Sequence, residues 1–122
     1  MKTVVHLGKA LSDETRLRIL KLLEDGELCV CHLMRVLNMG QSRISRHMGV
    51  LKQAGLVADR RVGKWVFYRL EAAGPRAESQ TVLQHLSTWL NDEPRIQQDK
   101  ERLWQLTGEI EAEVRTILAG TS

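Results

Sequence analysis

The 122-residue sequence predicts a mainly α-helical fold closed by one β-hairpin. Three observations carry that expectation. Apolar residues recur three and four apart over most of the chain, and the period turns to alternation only around residues 56–70. Aromatics are 4% against 43% hydrophobic residues, so the core must be built from Leu, Val, Ile and Met. A chain of this length makes one compact domain. So many amphipathic helices in so short a chain point to a core completed by a second copy.

The elements follow in order. Val4, Leu7 and Leu11 mark a first helix over residues 2–11. Ser12 or Asp13 caps a second, whose apolar positions Leu17, Ile19, Leu20, Leu22 and Leu23 run to the stop at Gly26. A third short helix covers about residues 30–37, with Val30, Leu33, Val36 and Leu37 inward. Asn38-Met39-Gly40 is a tight connection to a fourth, from Gln41 to Ala54, closed by Gly55. Leu56 to Val62 and Trp65 to Leu70 read as two strands joined through Gly63, with Arg60, Arg61 and Lys64 at the basic tip. After the break Ala72-Ala73-Gly74-Pro75, Val82, Leu83, Leu86, Trp89 and Leu90 mark a fifth helix. The last helix starts at Asn91-Asp92-Glu93-Pro94 and runs to about Leu118, with Leu103, Leu106, Ile110, Val114 and Ile117 as a coiled-coil-like stripe. The helices at about 2–11 and 79–118 are therefore the expected dimer interface, around a core at about 13–70.

Charge is asymmetric behind a net value of +3. Residues 1–70 hold 13 Lys/Arg against 6 Asp/Glu, and residues 71–122 hold 5 against 9. A basic half beside an acidic one suits a polyanionic partner. The segment 41–69 alone carries seven Lys/Arg and one acid, Asp59. No apolar run reaches the roughly 18 residues that span a membrane, and the N-terminus lacks the apolar stretch of a secretory signal, so the expected compartment is the cytoplasm. There Cys29 and Cys31 stay reduced.

Two short helices joined by a tight turn, followed by a basic hairpin, make a winged helix-turn-helix, so residues 13–70 are the expected DNA-binding core. In the fourth helix Ile44, Met48 and Leu51 face the core, which puts Ser42, Arg46, Gly49 and Gln53 on the opposite face, with Arg43 and Ser45 flanking it and Gln41 at its start. Gln and Arg side chains read adenine and guanine edges by paired hydrogen bonds, and Gly49 leaves room for close approach. Gln41, Ser42, Arg43, Ser45, Arg46 and His47 are the candidate groove residues. Arg60, Arg61 and Lys64 are candidates for phosphate or minor-groove contacts. The expected partner is double-stranded operator DNA with an inverted repeat, matching a two-fold protein.

The runs Leu11-Ser12-Asp13-Glu14-Thr15-Arg16-Leu17-Arg18-Ile19-Leu20, Gln41-Ser42-Arg43-Ile44-Ser45-Arg46-His47-Met48 and Gly63-Lys64-Trp65-Val66-Phe67-Tyr68-Arg69-Leu70 resemble, in order, the second helix, recognition helix and wing of the arsenic-repressor (ArsR/SmtB) family. The resemblance covers about residues 5–70. It implies a homodimeric, metal- or metalloid-responsive transcriptional repressor, and no enzyme. The long final helix departs from the family's shorter members.

Glu27-Leu28-Cys29-Val30-Cys31-His32-Leu33 resembles that family's arsenite-sensing motif, with Met34 where a third cysteine would stand. The resemblance implies Cys29 and Cys31 as ligands for trivalent arsenic or antimony as inducer, and thiolates suit such soft species. His32 and His6 are candidate third ligands. A monoalkylated trivalent arsenical needs only two thiols. Both cysteines lie at the start of a helix, where the dipole favours thiolate, yet no Ser, Thr, Asp or Asn stands at the cap position of Cys29. Residues two apart on an ideal helix point about 200° apart, so joint capture requires the first turn to unwind. The family's second sensing site is expected to be absent, because the fifth helix offers His85 alone. Two other readings share these residues: a thiol-redox or other-ligand-responsive regulator, and a small thiol enzyme acting on arsenicals.

Overall fold

A computed structural model gives the backbone of residues 1–120 and the side chains of residues 1–107, and these are the residues described. Six helices and three short strands follow the order α1 (Lys2–Leu11), α2 (Glu14–Leu22), β1 (Leu28–Cys29), α3 (Val30–Leu37), α4 (Gln41–Gln53), β2 (Val57–Val62), β3 (Trp65–Leu70), α5 (Ala77–Leu86) and α6 (Pro94–Gly120). A single 3-10 turn, Leu23–Asp25, ends α2 at Gly26, whose φ of 140° suits glycine. This is a winged helix-turn-helix: α3 and α4 are joined through Asn38 in the left-handed region (φ 53°), and β2 and β3 form the wing.

Asp13 caps α2 as its side chain accepts the Arg16 amide (3.1 Å). Ile19, Leu20, Leu22, Leu33, Ile44, Met48, Leu51 and Leu56 are all buried and form one cluster with Leu7 and Ala10 of α1. Each of the Leu, Ile and Met side chains contributes about 1.5–3 kcal/mol by leaving water. Together they fix α4 against α1, α2 and α3 with its opposite face outward.

Two features differ from the sequence expectation. The sheet has a third strand: β1 pairs antiparallel with β3, Leu28 opposite Tyr68 and Cys29 opposite Phe67, giving the order β1-β3-β2. The fifth helix stops at Leu86, short of Trp89 and Leu90; Leu90 turns left-handed (φ 66°) and Trp89 is exposed. The cause is Lys21, fully buried, whose ammonium donates to the Leu86 carbonyl (2.8 Å), Asn91 Oδ1 (2.9 Å) and Glu24 (2.9 Å). A buried charge needs this full set of acceptors, and it takes the helix-ending carbonyl as one of them. The near half of α6 packs on its own chain, and its far half lies outside the described side chains. Ile96 and Leu103 are buried, Arg18 grips Asp99 through two bonds (2.7 and 2.9 Å), and Arg102 Nε donates to the Arg35 carbonyl at the end of α3. Of the predicted stripe, Ile110, Val114 and Ile117 lie outside the described side chains. Among the described residues, Met1, Val4, Val5, Trp89 and Trp104 are large apolar residues left exposed on or near the expected dimer helices.

Candidate nucleic-acid interface and thiol site

On α4, Gln41, Ser42, Arg43, Ser45 and Arg46 are exposed, as are Gly49 and Gln53, and nothing lies within 4 Å of where a Gly49 Cβ would stand. His47 is half-buried and differs from the others. Arg16 of α2 donates to its Nδ1 (3.3 Å), and burial, with the charges of Arg16, Arg43 and Arg46, holds its pKa below the ordinary value against the pull of Asp13. Arg16, Arg43, Arg46, His47 and Val50 line a shallow cavity of about 260 Å³ on this basic face. Arg16 was not among the sequence-derived candidates. Its side chain reaches back across the α1–α2 junction to the Ala10 and Lys9 carbonyls (3.1 and 2.7 Å), a path that helical periodicity does not reveal.

The wing residues separate by the alternation of β2. Asp59 pairs with Lys52 of α4 (3.2 Å), so Arg61, two positions on, shares the sheet face that meets the recognition helix. Lys64 lies over the Trp65 ring at the tip (5.8 Å). Arg60 sits on the other face and is already engaged. Glu27 takes its guanidinium at 2.7–2.8 Å, and it stacks over Phe67 at 4.9 Å. It is thus the least suited of the three to a phosphate contact.

The thiols meet at the end of β1. Cys29 is buried in an extended conformation (φ −67°, ψ 148°) and caps α3; its sulfur accepts the Cys31 amide (3.2 Å), while the Cys29 amide donates to His32 Nδ1 (3.1 Å). Cysteine itself therefore fills the cap that the sequence appeared to lack. Because Cys29 lies outside the helix, the 200° argument does not apply to it: ligand atoms of Cys29, Cys31 and His32 all fall within 4.8 Å of one another with the first turn intact. Two sulfur bonds of about 2.3 Å to a shared atom span roughly 3.4–3.8 Å, so a captured soft atom would draw these groups closer together. His6, on α1, is not part of this cluster. The expected thiolate is also corrected: burial, then the adjacent Cys29 thiol, pushes the Cys31 pKa up to about 12, outweighing the backbone amides that favour the anion. His85 stacks edge-on against Trp89 (5.7 Å) and belongs to no metal-ligating group among the described residues.

Residues 13–59 match the family described as "Bacterial regulatory protein, arsR family". The arsenic resistance transcriptional regulator ArsR2 of Pseudomonas putida is 49% identical over 96 residues, which cover 75% of this chain and 84% of that one. This chain belongs to the ArsR family. Another relative, the arsenical resistance operon repressor of Escherichia coli, is 54% identical over 54% of this chain and 57% of its own length. Among solved structures, reduced HlyU from Vibrio cholerae superposes with a TM-score of 0.61 at 34% identity, covering 74% of this chain and 90% of that one. The homodimeric winged helix-turn-helix domain of Mb0332 from Mycobacterium bovis gives 0.59 at 32%, covering 70% and 73%. ArsR-family proteins are transcriptional regulators and not enzymes, which sets aside the thiol-enzyme reading. No described helix is long and apolar enough to cross a membrane.

Proposed function

We propose that the protein is a homodimeric, metalloid-responsive repressor that holds an inverted-repeat operator and leaves it when Cys29 and Cys31 capture trivalent arsenic or antimony in the reduced cytoplasm. The observation that carries this reading is the paired thiols at the cap of α3, the helix packed directly on the recognition helix. The names of the arsenic-resistance relatives support the inducer class. Arg43 and Arg46 with Gln41, Ser42 and Ser45 read the major groove, while Arg61 and Lys64 hold phosphates. The dimer forms through α1 and the exposed Val4 and Val5, with Trp89 and Trp104 as further contacts.

Met34 in place of a third thiol favours a monosubstituted arsenical over inorganic arsenite. Two thiols displace its two hydroxyls, forming two As–S bonds and releasing two waters. Inorganic arsenite keeps one hydroxyl, for which a third ligand such as His32 must substitute.

The test is operator release, followed by gel shift, with arsenite, methylarsonous acid, antimonite, Cd(II), Zn(II) and the thiol oxidant diamide. Release by the arsenicals and antimonite, methylarsonous acid foremost, is expected. Release by diamide alone would replace metalloid sensing with a redox reading. Retention of the complex with every agent would remove the sensing function.

A further inference from the structure

We infer that Glu27 and Arg60 are a positioning pair that carries the state of the thiol site to the wing. The inference rests on the thiol-capture reading above and concerns how capture reaches the DNA-contacting surface. The sheet supplies the route. Cys29 lies opposite Phe67, and Phe67 lies opposite Arg60, so the three residues form one row across β1, β3 and β2. Residues directly opposite one another in antiparallel strands project from the same face, about 4.5–5.5 Å apart at Cβ. The row is closed at both ends by side chains. Glu27, the residue before β1, takes the Arg60 guanidinium with both carboxylate oxygens, and the same guanidinium covers the Phe67 ring at 4.9 Å.

Cys29 serves three ends at once. It is half of a two-residue strand, it caps α3 through its sulfur, and that sulfur is a candidate ligand. A sulfur bonded to an arsenic that also holds the Cys31 sulfur no longer accepts the Cys31 amide in this geometry. Residue 29 must then adjust, and only two residue pairs hold β1 to β3. Glu27 moves with it. Across the hairpin, Asp59 is tied to Lys52 of the recognition helix at 3.2 Å. The strand β2 is thus held at consecutive residues, by α4 at Asp59 and by the thiol strand at Arg60. Loss of the second hold lets the wing shift relative to the recognition helix, and the two no longer fit one half-site together.

The experiment compares the full-length wild type with Glu27→Gln and Arg60→Lys, using methylarsonous acid as the probe. The latter keeps the positive charge and removes the two-point grip. Three quantities are read: operator Kd without the arsenical, operator Kd at saturating arsenical, and loss of titratable thiols. For the wild type the ratio of the two Kd values should fall in the range of about 5–150-fold usual for allosteric coupling. Both variants should titrate two thiols with unchanged affinity while their ratio shrinks several-fold, on the order of the energy of one ion pair. Wild-type ratios in both variants would overturn the link alone and leave thiol sensing standing. A wild type that binds the arsenical without leaving the operator, or does not bind it, would overturn both.

Discussion

The sulfur of Cys29 accepts the backbone amide of Cys31 at 3.2 Å, so one candidate ligand holds the helix that carries the other. Stability and sensing therefore meet in one atom, and substitutions can separate them.

Cys29→Ser keeps an acceptor at the cap, and a hydroxyl is the better one, so thermal stability should stay near wild type. Cys29→Ala leaves the amide unserved in a buried turn and should cost about 1 kcal/mol or more, as cap removal does. Cys29→Ser and Cys31→Ser should bind operator normally, and all three variants should fail to respond to trivalent arsenicals. Thermal melts and gel shifts with and without methylarsonous acid check this. Normal release by either serine variant would remove the paired-thiol mechanism.

Arg46→Ala should weaken specific binding by about 1–3 kcal/mol and relax sequence preference, because an exposed arginine on the outer face of α4 is placed to pair with a base edge. Arg61→Ala should weaken all sequences alike and reduce the salt slope by about 0.9. Arg60→Ala should change the salt slope less than Arg61→Ala, since Glu27 already neutralises Arg60. Affinity measured against salt for operator and random DNA separates the three.

The raised Cys31 pKa fixes two pH dependences. The folded state keeps this proton up to about 12 where an ordinary thiol loses it near 9.0. The associated stability is thus fully present below the lower value and is lost as pH rises through the window between them. Wild type should lose stability above about pH 9 faster than Cys31→Ser, as read by denaturant melts. Ligands divide by their proton balance. Cd(II) displaces a proton from each thiol, so its affinity should rise about tenfold per pH unit for every proton released. A hydroxylated arsenical takes those protons away as water, so its equilibrium affinity should be nearly flat near neutrality while its capture rate rises with the thiolate fraction. Isothermal titrations from pH 6.5 to 8 distinguish the two.

Gly55→Ala should destabilise the fold by about 1–3 kcal/mol. Gly55 has φ +72°, and an added Cβ would lie 2.9 Å from Arg76 Cδ and 3.1 Å from Ser79 Oγ. Ser79 is fully buried and donates to the Ala54 carbonyl at 2.7 Å, so it has little room to yield. Arg76→Ala in the same background should recover part of the loss in a chemical melt.

The recognition helix and the wing were legible because their signals are local. Ile44, Met48 and Leu51 recur at helical spacing, and the hairpin turns at a glycine between alternating runs. β1 was not legible: two residues carry no period, and Tyr68, the partner of Leu28, lies 40 positions away. The end of α5 was misread because Trp89 and Leu90 continue its apolar spacing, while the group that stops it, the Lys21 ammonium, comes from α2. At the candidate thiol site the clustering of Cys29 and Cys31 was readable from their pattern. The capping sulfur was not, since cysteine is not a residue that the capping preferences favour.

Pairing of Leu28 with Tyr68 has a consequence for the unit as a whole. It clasps the chain into a closed loop that contains all of α3, α4 and β2. Once the clasp forms, the ends of the DNA-reading segment are held without help from α5 or α6, and the entropy of closing a loop this long has already been lost. Fluctuations that open the loop should therefore be shared. Amide protons at Cys29, Phe67 and the interior of α4 should exchange with solvent at a common rate, as one cooperative block, while those of α5 exchange on their own schedule.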